Sequence, residues 1–141
     1  MMEAIIGKEF PEKVIPLIDQ AKSTIDVVVF DWRWYPQKPG SPVQLFNQAI
    51  ARAIKRGVVV RAIANTPQIV DILNKIGARA KKLHTPKLIH AKLMIIDDQY
   101  LIIGSHNYTE TAFLMNFEVS VIIEDEKVIR RVKEFFNNLY G

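Results

Sequence analysis

The chain has 141 residues, a length that predicts a single globular domain over residues 1–141 with enough apolar side chains for a core. It contains no cysteine, which excludes disulfides, iron–sulfur clusters and thiolate zinc sites. Hydrophobic residues make up 49% and charged residues 24%, which is typical of a folded chain. The net charge of +4 weakly favours polyanionic partners such as nucleic acid or anionic lipid.

The first residues do not have the pattern of a signal peptide. They have no basic opening, and their apolar run is only Ala4-Ile5-Ile6. No apolar run in the chain approaches the ~20 residues that cross a bilayer. We therefore expect a cytoplasmic protein without stable membrane insertion.

The first half of the chain alternates between predicted strands and helices. In order, it predicts an edge strand over 3–7, a helix over 11–23, a strand over 24–32, a helix from Ser41 or Pro42 to Arg56, a strand over 58–64, a helix over 67–76 and a short strand over 78–83. The nearly continuous apolar run 25–30 indicates a central strand covered on both faces. Strand–helix–strand order indicates parallel pairing through right-handed crossovers.

The second half predicts antiparallel strands. Two short apolar runs, one within residues 90–97 and one at 100–103, are separated by Asp97-Asp98-Gln99, which indicates a tight turn. A helical turn from Asn107 through Ala112, a strand over 116–124 and a closing helix over 125–139 follow. The predicted fold class is therefore α/β, a mixed β-sheet flanked by helices on both faces.

An ionisable pair lies in the apolar stretch 90–97. Side chains alternate along a strand, so His90 and Lys92 share one face while Asp97 lies on the other. We expect His90 and Lys92 to act on one small target. We expect Asp97 to be structural, anchoring the following turn or nearby backbone.

Further polar residues lie at the ends of the neighbouring strands. Ser105 and Asn107 follow Gly104, where short side chains and backbone N–H groups suit anion binding. If the last strand lies beside the His90 strand, Glu118 accepts a proton from the imidazole and sets its tautomer.

These groups suit a phosphodiester. Lys92 and Asn107 would bind the non-bridging oxygens, and His90 would attack phosphorus to form a phosphohistidine. The leaving alkoxide needs a proton, and one imidazole cannot serve as both nucleophile and acid in the same step. A second histidine is therefore required.

The spacing of these residues resembles the HKD motif of the phospholipase D superfamily. The matching pattern is His90-x-Lys92-x₄-Asp97-x₆-Gly104-Ser105-x-Asn107. Asn116 and Glu118 lie where this family often has a second polar pair. Because the chain has one motif, it is most similar to the short single-motif nucleases, the bacterial Nuc type and the mitochondrial Zucchini type.

The resemblance implies a phospholipase D-like fold and a homodimer whose two motifs form one active site. It implies hydrolysis of DNA or RNA without metal or cofactor. His90 would be the nucleophile and the partner subunit's His90 the acid and then the base. Lys92, Ser105 and Asn107 would hold the phosphate, with Asn116 nearby, and Glu118 would orient His90. We expect no counterpart of the signal peptide, membrane anchor or zinc-binding insert that such relatives carry, so the resemblance does not imply their location or physiological substrate.

Two other functions stay open. One is a phospholipid phosphodiesterase of the cardiolipin type, which has the same chemistry. The other is a non-catalytic nucleic-acid-binding module.

Several side chains have two interpretations. Trp32 and Arg33 leave the first central strand and would either stack bases or pack over the core or a dimer seam. His106 would either line the site within the motif or act as a surface or supporting residue. A basic stretch just before the motif would either follow a phosphate backbone or form an ordinary solvated face. It consists of Arg79, Lys81, Lys82 and Lys87.

Overall fold

Seven strands form one mixed sheet in the computed structural model, which describes residues 2–141. They are β1 (Met2–Ile6), β2 (Thr24–Val28), β3 (Val59–Ile63), β4 (Arg79–Lys81), β5 (Leu93–Ile96), β6 (Tyr100–Gly104) and β7 (Val119–Ile123). Their order across the sheet is β1-β7-β6-β5-β2-β3-β4. The pairs β2–β3 and β3–β4 are parallel, and all other pairs are antiparallel. The predicted parallel pairing of the first half is confirmed for β2, β3 and β4, and the antiparallel pairing of the second half is confirmed, whereas β1 pairs antiparallel with β7 at the far edge.

Helices cover both faces of this sheet, which confirms the predicted fold class. They are α1 (Glu9–Gln20), α2 (Pro42–Lys55), α3 (Pro67–Lys75) and α4 (Glu126–Tyr140), and a π-helical turn spans Thr111–Met115. Side chains of α1, α2 and α3 share one apolar core, whereas Ile129 and Phe136 of α4 belong to a second core on the other face. No helix within residues 2–141 has the length and apolarity needed to cross a bilayer.

Local signals set several helix starts. Ser41, Thr66 and Asp125 each accept a hydrogen bond from a backbone N–H in the first turn of α2, α3 and α4. Such caps satisfy donors that the helix itself leaves unpaired. The predicted Ser41 cap is confirmed.

The strands are shorter than predicted at the end of the sheet that carries the polar residues. β5 begins at Leu93, so His90 and Lys92 precede it, and β7 begins at Val119, so Asn116 and Glu118 precede that strand too. The β7 ladder stops here because its neighbours end at Ile6 and Gly104. The helical turn predicted through Ala112 also lies later in the chain, at Thr111–Met115.

A buried carboxylate on the central strand joins α4 to the sheet. Asp26 is fully buried, and it pairs with Arg61 at 2.8 Å and with Lys133 of α4 at 2.5 Å. A buried charge is costly unless it is paired and hydrogen-bonded, so these two cations compensate for its burial. The strand is covered on both faces as predicted, since Val27 faces one core and Val28 the other.

Candidate active site

The predicted pair of His90 and Lys92 lies at the surface, just before β5. The Lys92 Nζ is 3.1 Å from His90 Nδ1, 3.3 Å from His90 Nε2 and 3.0 Å from the His90 carbonyl oxygen. Partial burial lowers the pKa of Lys92, and the negative charge of Glu118 opposes that shift. The structure thus brings together an exposed imidazole and an ammonium group that can contact one anion.

Two residues that sequence reasoning missed support this pair. The Phe30 ring lies against the His90 ring, with centroids 5.0 Å apart. Asn65 donates from Nδ2 to the carbonyl oxygens of Phe30 at 2.9 Å and Ile89 at 3.2 Å, so it ties the segment before His90 to the end of β2. Their position in the sequence could have indicated this role, since each lies two residues after the end of a strand, at the polar end of the sheet.

Asn107 is held by the segment that follows β2. Its Oδ1 accepts a hydrogen bond from the Asp31 N–H at 3.0 Å, and the Tyr108 N–H donates to the Asp31 carbonyl at 3.0 Å. Because Oδ1 is occupied, the amide NH₂ is the group left to donate to a ligand. This geometry suits the predicted binding of a phosphate oxygen.

Glu118 contacts Ser105 and not His90. The Ser105 hydroxyl donates to Glu118 Oε1 at 2.5 Å, and Asn116 Nδ2 donates to Oε2 at 2.9 Å. The expected adjacency of the Glu118 and His90 strands is wrong, because β6 lies between β5 and β7. Glu118 therefore holds Ser105 in place and acts on Lys92 through charge.

Gly104 allows this arrangement because β6 passes very close to β7. A Cβ on Gly104 would collide with the Cα of Ser120 and the carbonyl oxygen of Val119. These are backbone atoms, which cannot move aside as a flexible side chain can. The glycine therefore sets the distance at which Ser105 reaches Glu118.

Asp97 lies at the opposite end of β5. Its carboxylate accepts backbone N–H bonds from Lys22 at 2.9 Å, Ser23 at 2.7 Å and Thr24 at 3.0 Å. Burial acts to raise the pKa of Asp97, but these three donors outweigh it, so the pKa is lowered. These contacts fit the expected structural role of Asp97, but Asp97 is separated from His90 by the length of β5 and not by opposite strand faces, because His90, Lys92 and Asp97 all lie outside that strand.

The interpretation of His106 as a substrate-binding residue is wrong. Its side chain is 1% exposed, Nδ1 lies 2.7 Å from Ser120 Oγ, and Nε2 lies 2.9 Å from the Gly7 carbonyl oxygen. Burial lowers its pKa, opposed by the Gly7 carbonyl and Glu118. An imidazole with both nitrogens bonded in the core is not available to a ligand.

Trp32 also belongs to the core, so of its two interpretations the packing one is confirmed and the stacking of bases on Trp32 is wrong. It is 3% exposed, and its Nε1 donates to Asn47 Oδ1 at 2.7 Å. Arg33 remains exposed and forms an ion pair with Asp31 at 2.8 Å, two residues from the peptide that holds Asn107.

The fold and the site together define a phospholipase D-like domain. The sequence profile of the family described as "Cardiolipin synthase, PLD-like domain" matches residues 14–140. The chain therefore belongs to this family.

The similar curated proteins include mitochondrial cardiolipin hydrolases from two species. Mitochondrial cardiolipin hydrolase of Homo sapiens is 28% identical over 140 residues, which cover 95% of this chain and 52% of that protein. The Danio rerio protein of that name is 31% identical over 105 residues, covering 67% of this chain and 46% of its own length. The chain thus spans about half the length of the curated relatives it matches.

Solved structures of similar fold match nearly end to end. Nuc from Salmonella typhimurium, a phospholipase D family member, aligns with a TM-score of 0.82 at 20% identity, covering 99% of this chain and 95% of that one. NucT from Helicobacter pylori aligns with a TM-score of 0.80 at 19% identity, covering 99% and 94%. At such identities the likeness shows the fold, and the resemblance to the phospholipase D superfamily is confirmed.

Proposed function

We propose that this chain is a phosphodiesterase that cleaves DNA or RNA through a phosphohistidine on His90, without a metal in the reaction. The observation that carries the proposal is the contact of the Lys92 ammonium with the exposed His90 imidazole at 3.1 and 3.3 Å. The amide of Asn107, fixed by Asp31, lies at the same end of the sheet. A nucleophile, a cation and a neutral donor are the groups that phosphoryl transfer needs.

The reaction has two steps. A ring nitrogen of His90 attacks phosphorus, and a P–N bond forms as the P–O bond to the leaving group breaks. The imidazolium of the partner subunit's His90 gives its proton to the departing alkoxide. That imidazole then takes a proton from water, the water oxygen attacks phosphorus, and the P–N bond breaks to release His90. Lys92 and Asn107 stabilise the charge on the non-bridging oxygens in both steps.

A homodimer would supply the second histidine, and the surface of the chain supports one. Within residues 2–141, α4 covers only part of its face of the sheet, and the rest carries exposed apolar side chains. We call this surface, together with the exposed apolar side chains of α4, the open apolar face: Met2, Ile6, Phe117 and Val119, with Val128 and Phe135 on α4. It includes a groove of about 500 Å³ between α4 and the β5–β6 pair. An exposed apolar patch of this kind favours an interface, and Phe117 places its edge next to Glu118.

Cleavage assays in EDTA test the proposal. Fluorescent single-stranded DNA, double-stranded DNA and RNA are incubated with the native chain, with His90→Ala and with His84→Ala as the matched control. His84 is an exposed histidine outside the site. We expect His90→Ala to lose at least about 10³-fold in kcat/KM and His84→Ala to keep full activity. An active His90→Ala protein would contradict the mechanism.

A second candidate is a phospholipid phosphodiesterase of the cardiolipin type. It is favoured by Leu88, which is 71% exposed two residues before His90, and by the fully exposed Phe117 beside Glu118. Two relatives are also named for cardiolipin hydrolysis. Turnover of labelled cardiolipin without nucleic-acid cleavage would select this candidate, and nucleic-acid binding without any cleavage would select the non-catalytic module.

Two further expectations stay predictions. One is the cytoplasmic location, which the mitochondrial names of the relatives do not share. The other is a single domain over residues 1–141. Fractionation and limited proteolysis of the native protein check them.

A further inference from the structure

The basic residues before the motif divide between two surfaces. Lys81 donates from Nζ to the Tyr140 carbonyl oxygen at 2.9 Å and lies 4.1 Å above the Tyr140 ring. The Tyr140 hydroxyl donates to the Arg79 carbonyl oxygen at 2.8 Å. These contacts attach β4 to the end of α4. Lys82 and Lys87 instead line a groove on the active-site side of the sheet.

This groove, which we call the loop groove, has a volume of about 330 Å³. It lies between the β4–β5 connection and the ends of β2 and β3. Its lining includes Phe30, Asn65, Lys82, Thr85, Lys87 and Leu88. Lys82, Thr85 and Lys87 provide two cations and a hydroxyl on one side, and Phe30 and Leu88 provide an aromatic and an apolar wall.

The loop groove shares a wall with the His90 site. The Phe30 ring lies 5.0 Å from the His90 ring and 5.8 Å from Lys92 Nζ, measured to ring centroids. Asn65 holds the carbonyl oxygens of Phe30 and Ile89, and so fixes this shared wall from the groove side. A molecule in the loop groove would therefore lie next to a phosphodiester bound at His90.

We propose that the loop groove is a nucleotide subsite that holds the neighbouring nucleotide of a single-stranded nucleic acid. Lys82 and Lys87 bind the next phosphate, and the unpaired base lies against Phe30 and Leu88. Stacking on an aromatic ring needs an unpaired base, which is why the geometry favours a single strand over a duplex. The inference rests on the proposed function, because the subsite is defined relative to a phosphodiester at His90.

The mixed lining decides between a nucleotide and a lipid chain. An acyl chain would make no contact that uses the two exposed ammonium groups, whereas a nucleotide offers a phosphate to Lys82 and Lys87 and a base to Phe30 and Leu88. The groove volume also lies at the lower end of the usual range for ligand pockets, of the order of 300–1,000 Å³. One nucleotide is the ligand that fits both the chemistry and the size.

Binding is measured first, in the His90→Ala chain, so that it does not depend on turnover. A fluorescein-labelled 12-nucleotide single strand is titrated by anisotropy at several salt concentrations. Adding Lys82→Ala and Lys87→Ala should raise the Kd about tenfold. The slope of log K against log salt should fall by about 0.7, because the contact with one phosphate is lost.

The matched control is Lys55→Ala with Lys75→Ala. It removes the same charge from the C-terminal ends of α2 and α3, at the other end of the sheet. It should leave both the Kd and the salt slope unchanged. Equal binding by the Lys82→Ala/Lys87→Ala protein and its parent would overturn the subsite, as would an equal effect of the control.

Turnover then separates the subsite from the proposed function. In the chain with native His90, the ratio of kcat/KM for the 12-nucleotide strand to that for bis(p-nitrophenyl) phosphate should fall about tenfold in the Lys82→Ala/Lys87→Ala variant. An unchanged ratio overturns the subsite. If the native chain hydrolyses neither substrate while binding still depends on Lys82 and Lys87, the proposed function fails and the subsite stands. Binding to cardiolipin vesicles alone overturns the subsite and assigns the groove to a lipid surface.

Discussion

The two ends of β5 carry the two parts of the segment 90–97, and they differ in how their polar groups are used. At one end, His90 is exposed and Lys92 contacts it without a carboxylate partner of its own. At the other end, the Asp97 carboxylate is fully engaged by three backbone N–H groups. At the first end, His90 and Lys92 can still form hydrogen bonds with a ligand. At the second end, the hydrogen bonds of Asp97 stabilise the fold. Residues of one motif can therefore serve chemistry and architecture separately.

The largest expected difference between the two ends of β5 is the loss of activity on substitution of Lys92. We expect Lys92→Ala to lower kcat/KM by about 10²–10³-fold, because a preorganised donor to the charged oxygens is lost. Its unfolding free energy should change little, since within residues 2–141 the hydrogen bonds of the Lys92 ammonium all go to exposed His90 and its contact with the Phe30 ring is long, at 5.8 Å. Steady-state kinetics and urea denaturation check both values, with Lys55→Ala as the exposed control. If Lys92→Ala loses activity because it is largely unfolded, Lys92 serves the fold and the proposed difference between the two ends of β5 is wrong.

Asp97→Ala should show the reverse pattern. Three backbone donors lose their acceptor, so we expect a loss of about 2–3 kcal/mol in unfolding free energy. The kcat/KM of the folded fraction should stay within about threefold of the native value. Asp71→Ala is the matched control, because it removes an exposed carboxylate that pairs only within α3. If Asp97→Ala abolishes turnover while the chain stays folded and stable, Asp97 belongs to the chemistry.

The smallest expected effect is the pH dependence of the Asp97 contribution. Because the folded state lowers the Asp97 pKa, its stabilisation is fully present above the unfolded value of about 3.9 and is lost as the pH falls towards the folded value. The stability difference between the native chain and Asp97→Asn should therefore be constant near neutral pH and shrink below about pH 4. Urea midpoints measured from pH 3 to 7 check this. A difference that grows with acidity would have the wrong sign.

Much of the fold followed from local pattern. The apolar run 25–30 predicted a strand covered on both faces, and Val27 and Val28 do face opposite cores. Ser41 before an apolar-periodic segment predicted the start of α2, and its side chain does cap that helix. Strand ends were less predictable, because a ladder stops where its neighbours stop, and those neighbours are distant in the chain.

Part of the candidate site could be predicted from the alternation of side chains along a strand and from the spacing of the motif residues. They placed His90 with Lys92 and separated both from Asp97. They left two interpretations open for His106 and Trp32. In the structure both side chains are buried: His106 bonds to Ser120 and Gly7, and Trp32 bonds to Asn47. A histidine or tryptophan satisfied in this way has the same local sequence pattern as one that faces a ligand.

The sequence by itself determined the family motif, the pairing of His90 with Lys92, and the parallel and antiparallel parts of the sheet. These depend on the repeat of side chains along a strand and on connection lengths, which are properties of neighbouring residues. Only the tertiary structure decided that β6 separates Glu118 from the His90 strand. Only the tertiary structure showed that Lys82 and Lys87 lie on a different surface from Lys81. It also showed that Phe30 and Asn65 lie beside His90. The reason is that strand order and the choice of partner depend on contacts between distant residues, which local periodicity does not encode.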